Sequence, residues 1–284
     1  MAGGSSALAM TSRSAGRAGW LAARGPAGTA QATSQPPGST PPALASNGLP
    51  RVGAVLAVTA RPGSESADLG ALLYAFGRAG TRLALLSMTR GEASPVNSTA
   101  SRLEAVRPWE LKLASWLLGI SSVAVADYPD GGLRQCELSD LTARVQRAIT
   151  EHTPDLILVP DPATGDPDDV QVARAVCLAA QRAGVPVAAR TSHGARGAWL
   201  VELGDQADAA RAVQFSAARA HASQSEALPE VLACLERLGS HEQLQWLLLV
   251  AVPHLRVITP PASVEGVTGI FPRRPEPCGV PSGQ

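Results

Sequence analysis

The chain is 284 residues long, 45% hydrophobic and 4% aromatic, with 24 basic residues balanced by 24 acidic ones. Zero formal net charge argues against a nucleic-acid surface and against an acidic solvating tail, and no apolar run reaches the roughly 18–20 residues that cross a bilayer. Cys136, Cys177, Cys234 and Cys278 stand too far apart for a Cys-x-x-Cys pair, which argues against a zinc knuckle or a thioredoxin-type motif and suits reduced thiols in a cytoplasmic protein.

Residues 1–50 are rich in Ala, Gly, Ser, Thr and Pro and carry no acidic residue. Such a segment buries too little apolar surface to offset its ordering entropy, so a disordered leader is expected. Arg13, Arg17 and Arg24 among serines match a transit peptide in composition, but the amphipathic pattern is poor. From Arg51 strands and helices alternate. The sequence predicts a buried strand over Val52–Ala60, a helix over Ala67–Gly80 with a C-cap glycine, and a strand over Thr81–Met88. A polar loop over 89–100, a helix from Ser101 to Leu118 and a short strand over Ser122–Ala126 are expected next. Tyr128-Pro129-Asp130-Gly131-Gly132 has turn chemistry. Leu138–His152 has apolar residues at helical spacing. Then come a strand over Asp155–Pro160, a helix over Asp168–Ala183 with Asp168 as candidate N-cap, and a strand over Pro186–Arg190. An added edge strand over Gly197–Glu202 and helices over Gln206–Ala222 and Ser225–Leu238 complete the domain. Trp246–Pro253 reads as a buried helix end or strand, and 251–284 as a Pro/Gly-rich tail.

This alternation implies right-handed βαβ crossovers and an α/β fold: a Rossmann-like, mostly parallel sheet with helices on both faces, in a single domain over 51–250. In such sheets ligands meet the loops at the carboxyl ends of strands. Here the first such loop is Ala60-Arg61-Pro62-Gly63-Ser64-Glu65. It has neither a Gly-x-Gly-x-x-Gly nor a Gly-Lys-Ser/Thr phosphate fingerprint.

Further landmarks follow in order: Thr89-Arg90-Gly91-Glu92; Arg102 and Glu104 with Ala114 and Leu118-Gly119; Tyr128-Pro129-Asp130-Gly131; Asp155–Pro160 before Gly165-Asp166-Pro167-Asp168-Asp169; and Ala217, His221 and Ser223-Gln224. Together they resemble the PIG-L/LmbE-like family of zinc-dependent N-deacetylases, with the register off by one at Arg102. In that family the first loop reads Ala-His-Pro-Asp-Asp-Glu. Its histidine and second aspartate bind zinc, and its first aspartate is the general base. Arg61, Ser64 and Gly63 stand at those positions here. The family's second motif, Gly-His-Pro-Asp-His, completes the zinc site with its last histidine and stabilises the transition state with its first. Asp169 and Asp166 replace them, while Pro62, Glu65, Pro167 and Asp168 keep the frame of both motifs.

The substitutions have chemical consequences. Catalytic zinc takes three protein donors and one water. Arginine stays protonated and has no lone pair to give, a neutral serine hydroxyl is a weak ligand, and only Asp169 remains a competent donor. Without zinc the attacking water keeps a pKa near ~15.7 rather than ~7, and Gly63 has no group to deprotonate it. The resemblance therefore implies a family member that has lost zinc and N-deacetylase activity and keeps a cleft for an amino-sugar-like ligand or a partner role. The alternative is an active N-acetyl hydrolase with a rearranged site that still uses zinc. Nucleotide or glycoside binding by the Arg61 turn is a third reading.

For individual residues two readings stand. Arg61 either pairs with Asp166 or Asp169, standing in for the metal's charge, or points to solvent. Glu92 touches a sugar hydroxyl or caps its loop. His221 is structural or catalytic, and His193 is a solvated loop residue or a ligand contact at the cleft rim.

Overall fold

The computed structural model describes residues 48–93, 102–191, 198–224 and 227–248. The tail expected over 251–284, His193, and the leader apart from residues 48–50 lie outside them.

Seven strands form one sheet in the order β3-β2-β1-β4-β5-β7-β6. They are β1 (Ala54–Thr59), β2 (Arg82–Thr89), β3 (Ser122–Tyr128), β4 (Leu156–Val159), β5 (Val187–Arg190), β6 (Trp199–Glu202) and β7 (His241–Leu248). The first five pair in parallel, while β7 runs antiparallel to both β5 and β6. β1 and β4 are buried along their whole length, as expected of central parallel strands covered on both faces. The helices are α1 (Ser64–Ala67), α2 (Gly70–Arg78), α3 (Leu103–Leu117), α4 (Leu138–His152), α5 (Pro167–Ala183), α6 (Ala207–Arg219) and α7 (Leu228–Leu235). One face of the sheet packs on Leu141, Val145 and Ile149 of α4 and Val172 and Val176 of α5. The other packs on Leu72 and Phe76 of α2, Leu111 and Ala114 of α3 and Ala217 of α6. This is the expected α/β architecture.

Three expectations need correction. The helix expected over 67–80 is two helices, α1 and α2, separated at Asp68 and Leu69. Gly70 lets α6 come close, since a Cβ there would stand 2.7 Å from Gln214 Cγ. The buried Gln214 amide donates to the carbonyls of Ser66 and Ala67, each at 3.1 Å, so the break leaves these carbonyls satisfied. Second, the helix expected to begin with Asp168 is capped by Asp166. Its carboxylate accepts from the backbone N–H of Asp168 at 2.9 Å and of Asp169 at 3.4 Å, with Pro167 at the position that needs no donor.

Third, residues 241–248 form a strand of which the sequence reading covers only the end, Trp246–Leu248, as a helix end or strand. Glu242 points inward on β7, only 2% exposed. Arg190 donates to it at 2.8 Å and Arg211 also pairs with it. An inward carboxylate breaks the apolar alternation that marks a half-buried strand. The edge strand expected near Gly197–Glu202 is β6, at the sheet margin.

Candidate functional site

The strand order reverses at β1, whose carboxyl end faces that of β4. Such a switch point opens a crevice in α/β sheets. The Arg61 turn leaves β1 there, and the loop from Asp161 to Asp166 leaves β4 to enter α5.

Arg61 is the centre of the crevice. Its Nη1 and Nη2 donate to the two carboxylate oxygens of Asp166 at 2.8 and 3.2 Å, and its Nε donates to Asp130 Oδ1 at 3.1 Å. Asp168 lies 3.5 Å from Nη2. The guanidinium fork thus spans two loops and a helix start, a geometry that a point-charge ammonium does not offer. Burial opposes the charge on Arg61, but the hydrogen bond to Asp166 and the fields of Asp130, Asp166 and Asp169 outweigh it and push its pKa above the ordinary arginine value.

The aspartates have separate tasks. Asp166 caps α5 while holding Arg61. Asp168 accepts from the backbone N–H groups of Gly131 at 2.8 Å and Leu133 at 3.1 Å, fixing the Pro-Asp-Gly turn. Burial raises the Asp168 pKa even though Arg61 and these two donors act against it. Asp130 also takes Thr89 Oγ1 at 3.3 Å and the Ala93 N–H at 3.2 Å. Asp169 is not a hydrogen-bond partner of Arg61. Its Oδ1 is buried without a partner among the described residues. Burial, then Asp166 and Asp68, push its pKa up to about 8, so the carboxyl is mostly protonated at neutral pH.

Glu65 and His221 form a second group behind the turn. His221 Nε2 lies 2.7 Å from Glu65 Oε1, and the side chains are 4% and 0% exposed. Glu65 also accepts from the Gly63 N–H at 2.7 Å and Ser66 Oγ at 2.6 Å. Burial alone would raise the Glu65 pKa, but His221, Ser66 and Gly63 together lower it. The pair fixes Gly63 and ties the turn to the end of α6. Glu92 is exposed, and its carboxylate accepts from the Asp130 N–H at 3.0 Å, which matches loop capping.

Two contributors were missing from the sequence-based set. Arg107, 1% exposed, donates to the Pro62 carbonyl at 2.7 Å and to the Gly91 carbonyl. It clasps the Arg61 turn to the loop after β2. Gly91 has φ 73°, and a Cβ there would collide with this guanidinium. Nothing in the helical pattern distinguishes Arg107 from a solvated arginine, except its place on the buried Leu103–Leu111–Ala114 face of α3. Asp130 lies in the Pro-Asp-Gly landmark, whose turn chemistry alone does not reveal its hold on Arg61.

The donor set can be tested against zinc on chemistry alone. At the positions that the resemblance assigns to the metal, Arg61 offers no lone pair and is engaged with carboxylates, Ser64 is a buried hydroxyl, and Asp169 is the one carboxylate donor. Among the described residues no group of three His, Cys, Asp or Glu side chains is arranged to hold a metal ion. The residues present therefore do not fit the three-donor catalytic site. Beside the turn, a narrow cavity bordered by Pro62, Gly63, Arg107, His221 and Val231 encloses about 10 Å³, roughly the space for one water.

The family model described as PIG-L, GlcNAc-PI de-N-acetylase, matches residues 56–180. No curated protein matches the chain by sequence. Solved structures share the fold. The N,N'-diacetylchitobiose deacetylase from Pyrococcus horikoshii, solved with its inhibitor MPG, aligns with TM-score 0.57 at 16% identity over 69% of this chain and 84% of its own. A conserved protein from Thermus thermophilus, TT1542, aligns with TM-score 0.54 at 20% identity over 71% and 98%. GalB, the 4-carboxy-2-hydroxymuconate hydratase from Pseudomonas putida KT2440, aligns with TM-score 0.54 at 17% identity over 71% and 99%. Among the described residues no helix is long and apolar enough to cross a membrane.

Proposed function

We propose that this chain is a PIG-L-family protein that does not carry out zinc-dependent amide hydrolysis and that uses its crevice to bind an amino-sugar-like ligand or a partner. The observation that carries this reading is the Arg61 guanidinium held by Asp166 and Asp130. A fixed cation there supplies the positive charge that carboxylates at the crevice need, without a coordination site or an acidified water. Gly63, at the family's base position, has no side chain to take a proton. Asp166, at the position the family uses for transition-state stabilisation, is committed to Arg61 and to the α5 cap.

The fold alone leaves the chemistry open. It is found in a deacetylase and in a hydratase, so a site with different residues is compatible with binding or with another reaction. The amino-sugar class is favoured because the deacetylase of similar fold is named for such a substrate. The small cavity beside Gly63 would require the crevice to open before a sugar ring entered.

The experiment is elemental zinc analysis of full-length protein prepared without chelators, with acetate release from N,N'-diacetylchitobiose measured on the same sample. The reading expects far less than one zinc per chain and no release above buffer. One zinc per chain, lost together with acetate release in Asp169→Ala, would instead establish an active hydrolase with a rearranged site. A thermal-shift screen against amino sugars then tests the ligand class. A ligand at about 100 times its dissociation constant adds about 2.7 kcal/mol.

A further inference from the structure

Helix α3 has two apolar faces. Leu103, Leu111 and Ala114 are buried against the domain. On the opposite side stand Val106 at 41% exposure, Trp109 at 71%, Leu113 at 52% and Trp116 at 73%. These four are contiguous at spacings of three, four and three residues, a heptad-type stripe. Apart from Leu178, they are all of the exposed large hydrophobic residues among those described. Single exposed apolar residues need no explanation, but a contiguous patch does.

The stripe is matched to its own reverse. Laid antiparallel on a second α3, it sets Val106 level with the other copy's Trp116, and Trp109 level with the other copy's Leu113. Each layer then joins one indole to one smaller aliphatic side chain, the large-against-small alternation that interdigitates well. The area is also suitable. With each indole carrying roughly 150–250 Å², the four exposed side chains present about 400 Å² of apolar surface per copy. A pair would bury about 800 Å² of apolar area, or about 1,300 Å² in all at usual interface composition, near the lower end for specific interfaces. The formal net charge of zero, with 24 basic and 24 acidic residues, removes the repulsion that keeps charged copies apart. A lipid surface fits less well, because Glu104 and Glu110 accompany Arg102 and Lys112 on the same helix and no basic excess favours anionic headgroups.

We infer that the outer face of α3 is a self-association surface, occupied by the α3 of a second copy in an antiparallel, two-fold arrangement. Sedimentation velocity on the full chain between about 1 and 200 μM tests this. The modest area predicts a reversible dimer with a dissociation constant in the micromolar range. Leu113→Arg and the double variant Trp109→Ser/Trp116→Ser should each weaken it at least tenfold, with circular-dichroism melts confirming that both fold. A monomer throughout the range overturns the inference, as does a dimer that neither variant weakens. Liposome binding by a monomeric wild type, lost in both variants, would assign the face to membranes instead. A monomer whose tryptophan emission shifts when residues 249–284 are deleted would assign it to the chain's own tail.

Discussion

Replacing Arg61 with methionine keeps an unbranched stem while removing the guanidinium and its charge from the crevice. The Arg61, Asp130, Asp166 and Asp168 side chains are 11%, 5%, 10% and 2% exposed, so water screens them little. Removing one partner of a buried ion pair costs about 3–5 kcal/mol, because the remaining charge is left uncompensated. Here the orphaned carboxylates keep other donors: the Asp168 and Asp169 N–H groups for Asp166, and Thr89 and Ala93 for Asp130. The expected loss for Arg61→Met is therefore about 3 kcal/mol, or roughly 6–12 °C in Tm for a domain of this size. Arg61→Lys restores the charge but not the fork and should recover about half. Urea unfolding of the wild type, Arg61→Met, Asp166→Asn and the double variant yields the coupling energy directly. A coupling below about 0.5 kcal/mol, or an Arg61→Met protein as stable as the wild type, would refute the view that the guanidinium organises the crevice.

Asp169 and Glu65 predict opposite pH responses. The folded pKa of Asp169, about 8, lies above the ordinary 3.8, so the folded state binds the extra proton and stability falls as pH rises from about 4 to 8. That span sets a ceiling of roughly 5–6 kcal/mol. Asp169 keeps partial solvent access, so Asp169→Asn should gain about 2 kcal/mol at pH 8 and little at pH 4; equal effects at both pH values would rule this out. Glu65 has a folded pKa below its ordinary 4.5, so its contribution is present above that value and lost as pH falls through the folded one. Glu65→Gln should cost about 3 kcal/mol at pH 7 and progressively less in acid, whereas a pH-independent loss would point to packing alone. Gly70→Ala should destabilise by about 1–2 kcal/mol through overpacking against Gln214, despite alanine's better helix propensity; a stabilised variant in thermal melts would mean that α6 yields easily.

Most of the fold was legible because its central strands are short apolar runs with clear punctuation, as in β1 and β4. What stayed hidden involved charge taken inward. Glu242 disguised β7 because a buried carboxylate reads as surface until Arg190 and Arg211 are seen around it. Arg107 was hidden for the same reason on α3. The break between α1 and α2 is satisfied by a glutamine from α6, a distant partner that the local pattern does not show. At the crevice, the exchange of histidines for aspartates and the arrival of an arginine were visible as a charge pattern. The division of labour was not: Asp166 rather than Asp168 caps α5, and Asp130 shares the guanidinium. These assignments depend on where three loops meet.

The family match ends at residue 180, within α5, but the sheet does not. β5 hydrogen-bonds to β4, and β7 is threaded between β5 and β6, so the strand that closes the sheet is the last of the seven to leave the ribosome. A fragment cut at the boundary of the match would present the naked Leu156–Val159 edge, an uncapped row of donors and acceptors on an apolar strand that invites stacking with its neighbours. Shortened versions made for expression need to run through Leu248 to stay dispersed.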